Sequence, residues 1–155
     1  MRASAHPTTA TPHFRANVVA VVAGEKGRVL AFERIDLPGE WQLPQGGIDQ
    51  DETPQVAVWR ELEEETGLRA SQVELVGEYP EWTAYTWPDG PRRNGRLGQA
   101  QRWFFFEVRD RDVEPTPDGV EFGAWKWVER TWLVDHVVEF RRASYRRVLL
   151  DERTT

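Results

Sequence analysis

Glu61, Glu64 and Glu65 stand at helical spacing within GGIDQDETPQVAVWRELEEETGL, residues 46–68. Each helical residue turns about 100°, so the three carboxylates fall within about 100° of arc on one face. Val58, Trp59 and Leu62 take the other side and should pack inward. Glu61 and Glu65 are like charges at i and i+4 and repel by about 0.2–0.5 kcal/mol on an isolated helix. A divalent cation reverses that sign, because hard cations such as Mg²⁺ take carboxylate oxygens and keep several waters. The plain alternative is a solvated acidic face. The surroundings weigh against it: Gly46 and Gly47 precede the helix where a backbone carbonyl can approach a metal closely, and Arg60 can pair with Glu52 and fix the loop to the helix.

A helix over residues 54–66 must carry these groups. Thr53 is a good N-cap, Pro54 suits the first helical position and Gly67 is a natural stop. Residues 17–23 (NVVAVVA) read as a buried strand, 24–27 as a turn and 28–34 as the strand completing a hairpin. Residues 41–43 are short and extended before Pro44, and 45–47 read as a tight turn. Further strands are expected at 73–76, 83–87, 102–108 and 124–128, with a basic, glycine-rich loop over 88–98. Residues 137–150 read as an amphipathic helix studded with arginines. Strands interleaved with two helices predict an α/β fold with a mixed sheet sandwiched between helices.

The 155 residues suit one domain, over residues 14–155, large enough to bury a core. Residues 1–13 read as a disordered leader without the apolar centre of a secretory signal. The absence of cysteine excludes disulfides, thiolate metal sites and cysteine nucleophiles. No apolar run reaches the length of a membrane span, so a cytoplasmic protein is expected. A net charge of −6 argues against a long nucleic-acid groove while leaving room to grip one nucleic-acid end. The eight tryptophans are read mostly as packing, with one or two as base-stacking platforms.

The segment resembles the Nudix box. Gly46 is followed by five residues and Glu52, then seven more and Arg60-Glu61-Leu62, then Glu63, Glu64-Glu65, Thr66 and Gly67-Leu68, so every fixed place of that pattern is met. The resemblance implies an α/β/α sandwich with a central mixed sheet. It implies that Glu61, Glu64 and Glu65 hold Mg²⁺ or Mn²⁺, more than one ion, with the Gly46 carbonyl assisting, and that Glu52 and Arg60 form a structural ion pair. Such ions polarise phosphate oxygens and activate water, with no covalent enzyme intermediate.

The flanks resemble one branch of that family, the bacterial RNA 5′-pyrophosphohydrolases and the asymmetrically cleaving diadenosine tetraphosphate hydrolases. The runs that carry this are WQLPQGGI (41–48), GQAQRWF (98–104), Glu121-Phe122 with WKWV (125–128), and the C-terminal arginine-rich helix. The likeness implies that Glu121 approaches the metals and, with Glu64 and Glu65, is a candidate base. It implies that Arg15, Arg34 and Arg102 face the polyphosphate or nucleotide, that Phe140 stacks on a base, and that Arg141 stands beside it. Tyr85 is a candidate second aromatic in the same cleft. One extra residue between Arg34 and Trp41, and Val120 where some relatives have proline, depart from the RNA-cleaving pattern.

Three hydrolytic readings follow. One is removal of pyrophosphate from the 5′ end of triphosphorylated RNA, with Arg92, Arg93 and Arg96, and Arg141, Arg142, Arg146 and Arg147, as local phosphate contacts. The second is cleavage of diadenosine tetraphosphate, and the third is clearance of nucleoside triphosphates. A non-catalytic nucleotide-binding module is the alternative of another class, and it would be expected to have lost box glutamates.

Overall fold

The computed structural model describes residues 11–92 and 94–154. The first ten residues of the expected leader, and Arg93 of the basic loop, lie outside the described residues, while His13 opens the first strand. The elements run β1 (His13–Ala23), β2 (Val29–Arg34), β3 (Trp41–Gln42), β4 (Gln45–Gly47), α1 (Pro54–Thr66), β5 (Val73–Glu78), β6 (Thr83–Thr86), β7 (Arg96–Val108), β8 (Phe122–Val128), α2 (Arg130–His136) and α3 (Arg142–Leu149). Among the described residues the strands form one mixed sheet of eight. Among the described residues no helix is long and apolar enough to cross a membrane.

β1 and β7 make the long central parallel ladder, with every other pairing antiparallel. The continuous apolar run Val18–Val22 fits a strand buried on both faces. Val18, Ala20 and Val22 face α1 together with Phe104 and Phe106; Val19, Val21 and Trp103 face α3, whose Tyr145 packs against them. The result is helix, sheet, helix. Burying each large side chain of these layers contributes about 1.5–3 kcal/mol.

α1 has the expected ends. Thr53 Oγ1 accepts from Val56 N at 3.2 Å, and Gly67, at φ 72°, donates its N–H to Glu63 O at 2.9 Å. Ala57, Val58 and Leu62 are buried, and Trp59 meets Phe106 edge to face at 4.9 Å between centroids.

Four expectations need correction. β1 and β2 form a hairpin only at Ala23 and Val29, because β2 ladders along β8 while the free edge of β1 passes to β4 at Asn17–Val19. β3 fills the edge of β2 that β1 leaves, at Phe32 and Glu33. Residues 45–47 are therefore strand and not turn: their glycines serve close approach instead of reversal. The helix expected over 137–150 starts late: Glu139–Arg141 is a 3₁₀ turn and α3 begins at Arg142, while α2, over Arg130–His136, lies ahead of the expected range. Val137 (ψ 153°) and Val138 (ψ 141°), a β-branched pair, are extended and break the helix. Part of the expected basic loop, from Arg96, belongs to β7.

Candidate active site

The site lies where β1 exchanges β2 for β4. There, β4 packs so closely on α1 that a Cβ on Gly46 would lie 2.1 Å from Glu61 Cδ. On the other face of β4, a Cβ on Gly47 would lie 2.1 Å from Arg15 Nη2. Side chains at these two positions would displace a carboxylate and a guanidinium. Because the atoms met are the far end of the flexible Glu61 side chain, which can turn aside at the cost of part of its bond to Arg60, Gly46→Ala lowers the melting temperature by only a few degrees, about 2–4 °C. By turning that carboxylate aside it lowers kcat about tenfold to a hundredfold, to be measured side by side with melting.

Arg60 organises the loop before the helix. Its Nε donates to Glu52 Oε2 at 2.7 Å and its Nη2 to Glu52 Oε1 at 2.8 Å and to Gly47 O at 2.9 Å. Its Nη1 reaches Glu61 Oε1 at 2.7 Å and Glu64 at 3.5 Å. These bonds from Arg60, and then the Asp49 N–H, hold the Glu52 carboxyl down at about 2. Glu52 and its neighbours raise the already basic Arg60 further.

Glu65 is 5 % exposed, and its Oε1 accepts from Gln45 N at 2.9 Å. Burial raises its carboxyl strongly, and a shared hydrogen bond with Glu121, the charge of Glu121 and that of Glu61 add to the rise. Burial also raises Glu61 against the opposing effect of Arg60. Glu64 is open to solvent.

Glu121 reaches this cluster because its loop is tied to the last turn of α1. Thr116 N donates to Thr66 O at 2.7 Å and Asp118 N to Glu65 O at 3.1 Å. Asp118 Oδ1 then accepts the N–H groups of Val120, Glu121 and Phe122 at 3.0, 2.9 and 3.0 Å. Asp118 was not singled out in the sequence; an aspartate followed by glycine, ahead of a strand, is the turn signal that points to it.

Four carboxylates thus share one region, in which Arg60 pairs with Glu61 and Glu64. Among the described residues no three of them are already gathered into a coordination shell. The donor set nonetheless fits a hard divalent cation: it is all oxygen, and the negative charges of Glu121 and Glu61 oppose ionisation of the buried Glu65, an effect a cation would reverse.

A second group adjoins the first. The rings of Tyr85 and Phe140 meet at 5.2 Å, and the Arg141 guanidinium lies 5.7 Å and 5.4 Å from their centroids. Arg141 is buried; its Nη1 donates to Gln42 Oε1 at 2.6 Å, and its Nε–H is without a partner. Gln42 Nε2 points to Glu121 Oε1 at 3.5 Å. The orientation of this amide follows from its neighbours, since a guanidinium only donates and an ionised carboxylate only accepts. Beneath lie buried amides: Gln99 accepts from Tyr85 Oη, and Gln101 Nε2 donates to Asn17 Oδ1 at 2.8 Å and Gln45 Oε1 at 3.2 Å. Asn17 Nδ2 and Gln101 Oε1 have no partner, so this floor holds free donor and acceptor capacity. The Gln99-Ala100-Gln101 alternation, which places both amides on one strand face, was its sequence signal.

The remaining candidates divide. Arg34 is held bidentately by Asp36 at 3.0 and 2.8 Å, and Ile35 N donates to Glu121 O at 3.0 Å, so Arg34 borders the carboxylates. Arg15 lies against Gly47. Arg102 does not share the Tyr85–Phe140 cleft: it alternates with Gln101 and Trp103, so it takes the opposite face, where it pairs with Glu78 and lies 5.4 Å over Trp82. Of the C-terminal arginines, Arg141 lies beside Tyr85 and Phe140. Arg142 binds the carbonyls of Val137 and Asp135, and Arg147 pairs with Glu81 at 3.1 Å.

The NUDIX domain model matches residues 13–149. The chain belongs to the Nudix family. It is similar to the RNA pyrophosphohydrolase of Xanthomonas campestris pv. campestris (strain B100), 43 % identical over 143 residues, covering 88 % of this chain and 69 % of that one. It is similar also to Nudix hydrolase 26, chloroplastic, of Arabidopsis thaliana, 36 % identical over 148 residues, covering 88 % and 68 %. The fold matches that of a C. elegans Ap4A hydrolase in a binary complex, with a TM-score of 0.68 at 17 % identity over 86 % and 93 % of the two chains. This Nudix chain is a hydrolase of phosphoanhydride bonds, and such hydrolases need divalent metal ions.

Proposed function

We propose that the protein is an RNA 5′-pyrophosphohydrolase dependent on Mg²⁺ or Mn²⁺, converting a 5′-triphosphate end to a monophosphate and pyrophosphate. The observation that carries this reading is the Tyr85–Phe140–Arg141 group, joined through Gln42 to Glu121: a place for one base beside a carboxylate cluster. The RNA pyrophosphohydrolase names of the 38–43 % identical bacterial relatives support it.

Glu61, Glu64, Glu65 and Glu121, with the Gly46 carbonyl, would hold the ions. Bound there, divalent ions neutralise the polyphosphate and lower the pKa of water. The chain's residues do the rest. Phe140 and Tyr85 stack the first base; Arg141, Arg34 and Arg15 take phosphate oxygens; a carboxylate of Glu64, Glu65 or Glu121 accepts the proton of the attacking water as the α–β anhydride bond breaks. Gln42, tied to both Arg141 and Glu121, keeps base and carboxylate in register.

A side-by-side rate measurement with Mg²⁺ on a short 5′-triphosphate RNA and on diadenosine tetraphosphate, products resolved and EDTA as control, tests this. The expected result is metal-dependent release of pyrophosphate with preference for the RNA. Preference for the dinucleotide would replace the RNA reading with the hydrolase reading in which the same aromatic pair grips an adenosine.

A further inference from the structure

The Tyr85–Phe140 group ends neither the strand nor the row of aromatics on it. β6 pairs with β7 through Tyr85 opposite Gln99 and Thr86 opposite Gly98. The ladder continues one residue past β6, with Trp87 N donating to Leu97 O at 3.1 Å. Side chains alternate along a strand, so Trp87 stands on the same face as Tyr85, about 6.6 Å further on. Trp87 is half-buried, and the Arg92 guanidinium lies 4.3 Å from its ring centroid.

The hairpin end is fixed in this form. Gly90 N donates to Trp87 O at 3.1 Å, Arg92 N to Arg96 O at 2.8 Å, and Asp89 lies 3.5 Å from Arg92 Nη1. A brace for the hairpin accounts for an arginine near this loop; it does not account for an indole aligned with the cleft. Other rings of this chain also stand beside a cation, Trp41 and Trp132 beside Lys126 among them; Trp87 differs in lying in line with Tyr85 on one strand. Indole stacks on any nucleobase, and a neighbouring arginine adds a cation beside the linking phosphate. Trp82, exposed and next to Arg102, belongs to the opposite face and has no such alignment.

We propose that Trp87 and Arg92 form a second nucleobase platform, taking the base of the nucleotide next to the one held at Tyr85 and Phe140. This rests on the substrate reading above. The second base is either the next nucleotide of an RNA or the far nucleoside of a dinucleoside polyphosphate.

The test compares wild type, Trp87→Ala and Trp87→Phe on three ligands: ATP, a 5′-triphosphate RNA dinucleotide and diadenosine tetraphosphate. It reads kcat/KM with Mg²⁺ and, separately, equilibrium binding in EDTA. Trp87→Ala is expected to weaken a two-base ligand about tenfold and ATP less than about twofold, with Trp87→Phe recovering most of the loss. Loss confined to the RNA assigns the platform to the next nucleotide; loss confined to diadenosine tetraphosphate assigns it to the far adenosine. Equal losses on all three ligands, no loss on either two-base ligand, or a Trp87→Phe variant as weak as Trp87→Ala overturns the proposal. RNA turnover retained in Trp87→Ala with no loss on either two-base ligand removes the platform and leaves the RNA reading. The binding pattern without turnover of either two-base ligand keeps the platform and removes the substrate reading.

Discussion

Glu65→Gln is expected to lower kcat about a thousandfold in the presence of Mg²⁺, without loss of fold. The amide keeps an acceptor for Gln45 N, so the bond that orients the side chain on β4 survives. What disappears is one negative charge among the carboxylates of Glu61, Glu64, Glu65 and Glu121. In the cation-free protein that charge is unfavourable, since burial and the neighbouring carboxylates together raise Glu65. The variant should therefore melt at or above the wild-type temperature in EDTA. Any melting increase that Mg²⁺ gives the wild type should shrink in the variant, because a ligand stabilises only the state that binds it. Glu63→Gln is the matched control. Glu63 lies on the same helix, pairs with Arg69 at 3.1 Å and faces solvent, so kcat should stay within about twofold. Turnover unaffected in Glu65→Gln, or reduced equally in Glu63→Gln, would remove Glu65 from the metal platform.

The difference between these two neighbouring glutamates was legible in the sequence, and the reason is local. Helical periodicity fixes which side of α1 each residue takes, and the Thr53, Pro54 and Gly67 signals fix where α1 begins and ends. The Gly46-Gly47 pair was read with less success. Glycine marks both reversal and close approach, and only the position of Glu61 and Arg15 over β4 shows which is meant. The aromatic cleft was legible as residue types but not as a unit. Tyr85 and Phe140 are 55 residues apart, and Arg141 meets Gln42 across a sequence separation of 99. Nothing local encodes those meetings; they depend on the β1–β7 ladder and on the break at Val137-Val138, which sets Phe140 in a 3₁₀ turn. Arg102 shows the opposite case. Its place in the GQAQRWF run implied, by resemblance, a contact to polyphosphate or nucleotide, but one step of strand alternation from Gln101 sets it on the face opposite Tyr85.

Arg60→Met is expected to cost about 2 kcal/mol of stability at neutral pH, a melting decrease of about 4–8 °C. Removing one partner of a fully buried pair costs about 3–5 kcal/mol, and the lower figure applies here because the Arg60 side chain is 27 % exposed and partly solvated. The substitution leaves Glu52 and Glu61 without their shared cation and Gly47 O without its donor. Arg60→Lys should recover less than half of the loss, since an ammonium cannot reproduce the two-pronged contact with Glu52. The pH dependence identifies the cause. Glu52 falls from its ordinary 4.5 to about 2 on folding. A carboxylate whose folded pKa is depressed contributes stability that is complete above the unfolded value and is lost as pH falls through the folded one. The gap between wild type and Arg60→Met should therefore be widest above about pH 5 and close as pH falls from 4.5 toward 2. Denaturant unfolding at a series of pH values measures it. A gap unchanged down to pH 2 would mean that Arg60 acts through the packing of its stem and its bond to Gly47 O, and that its pairing with Glu52 contributes little to holding the loop against α1.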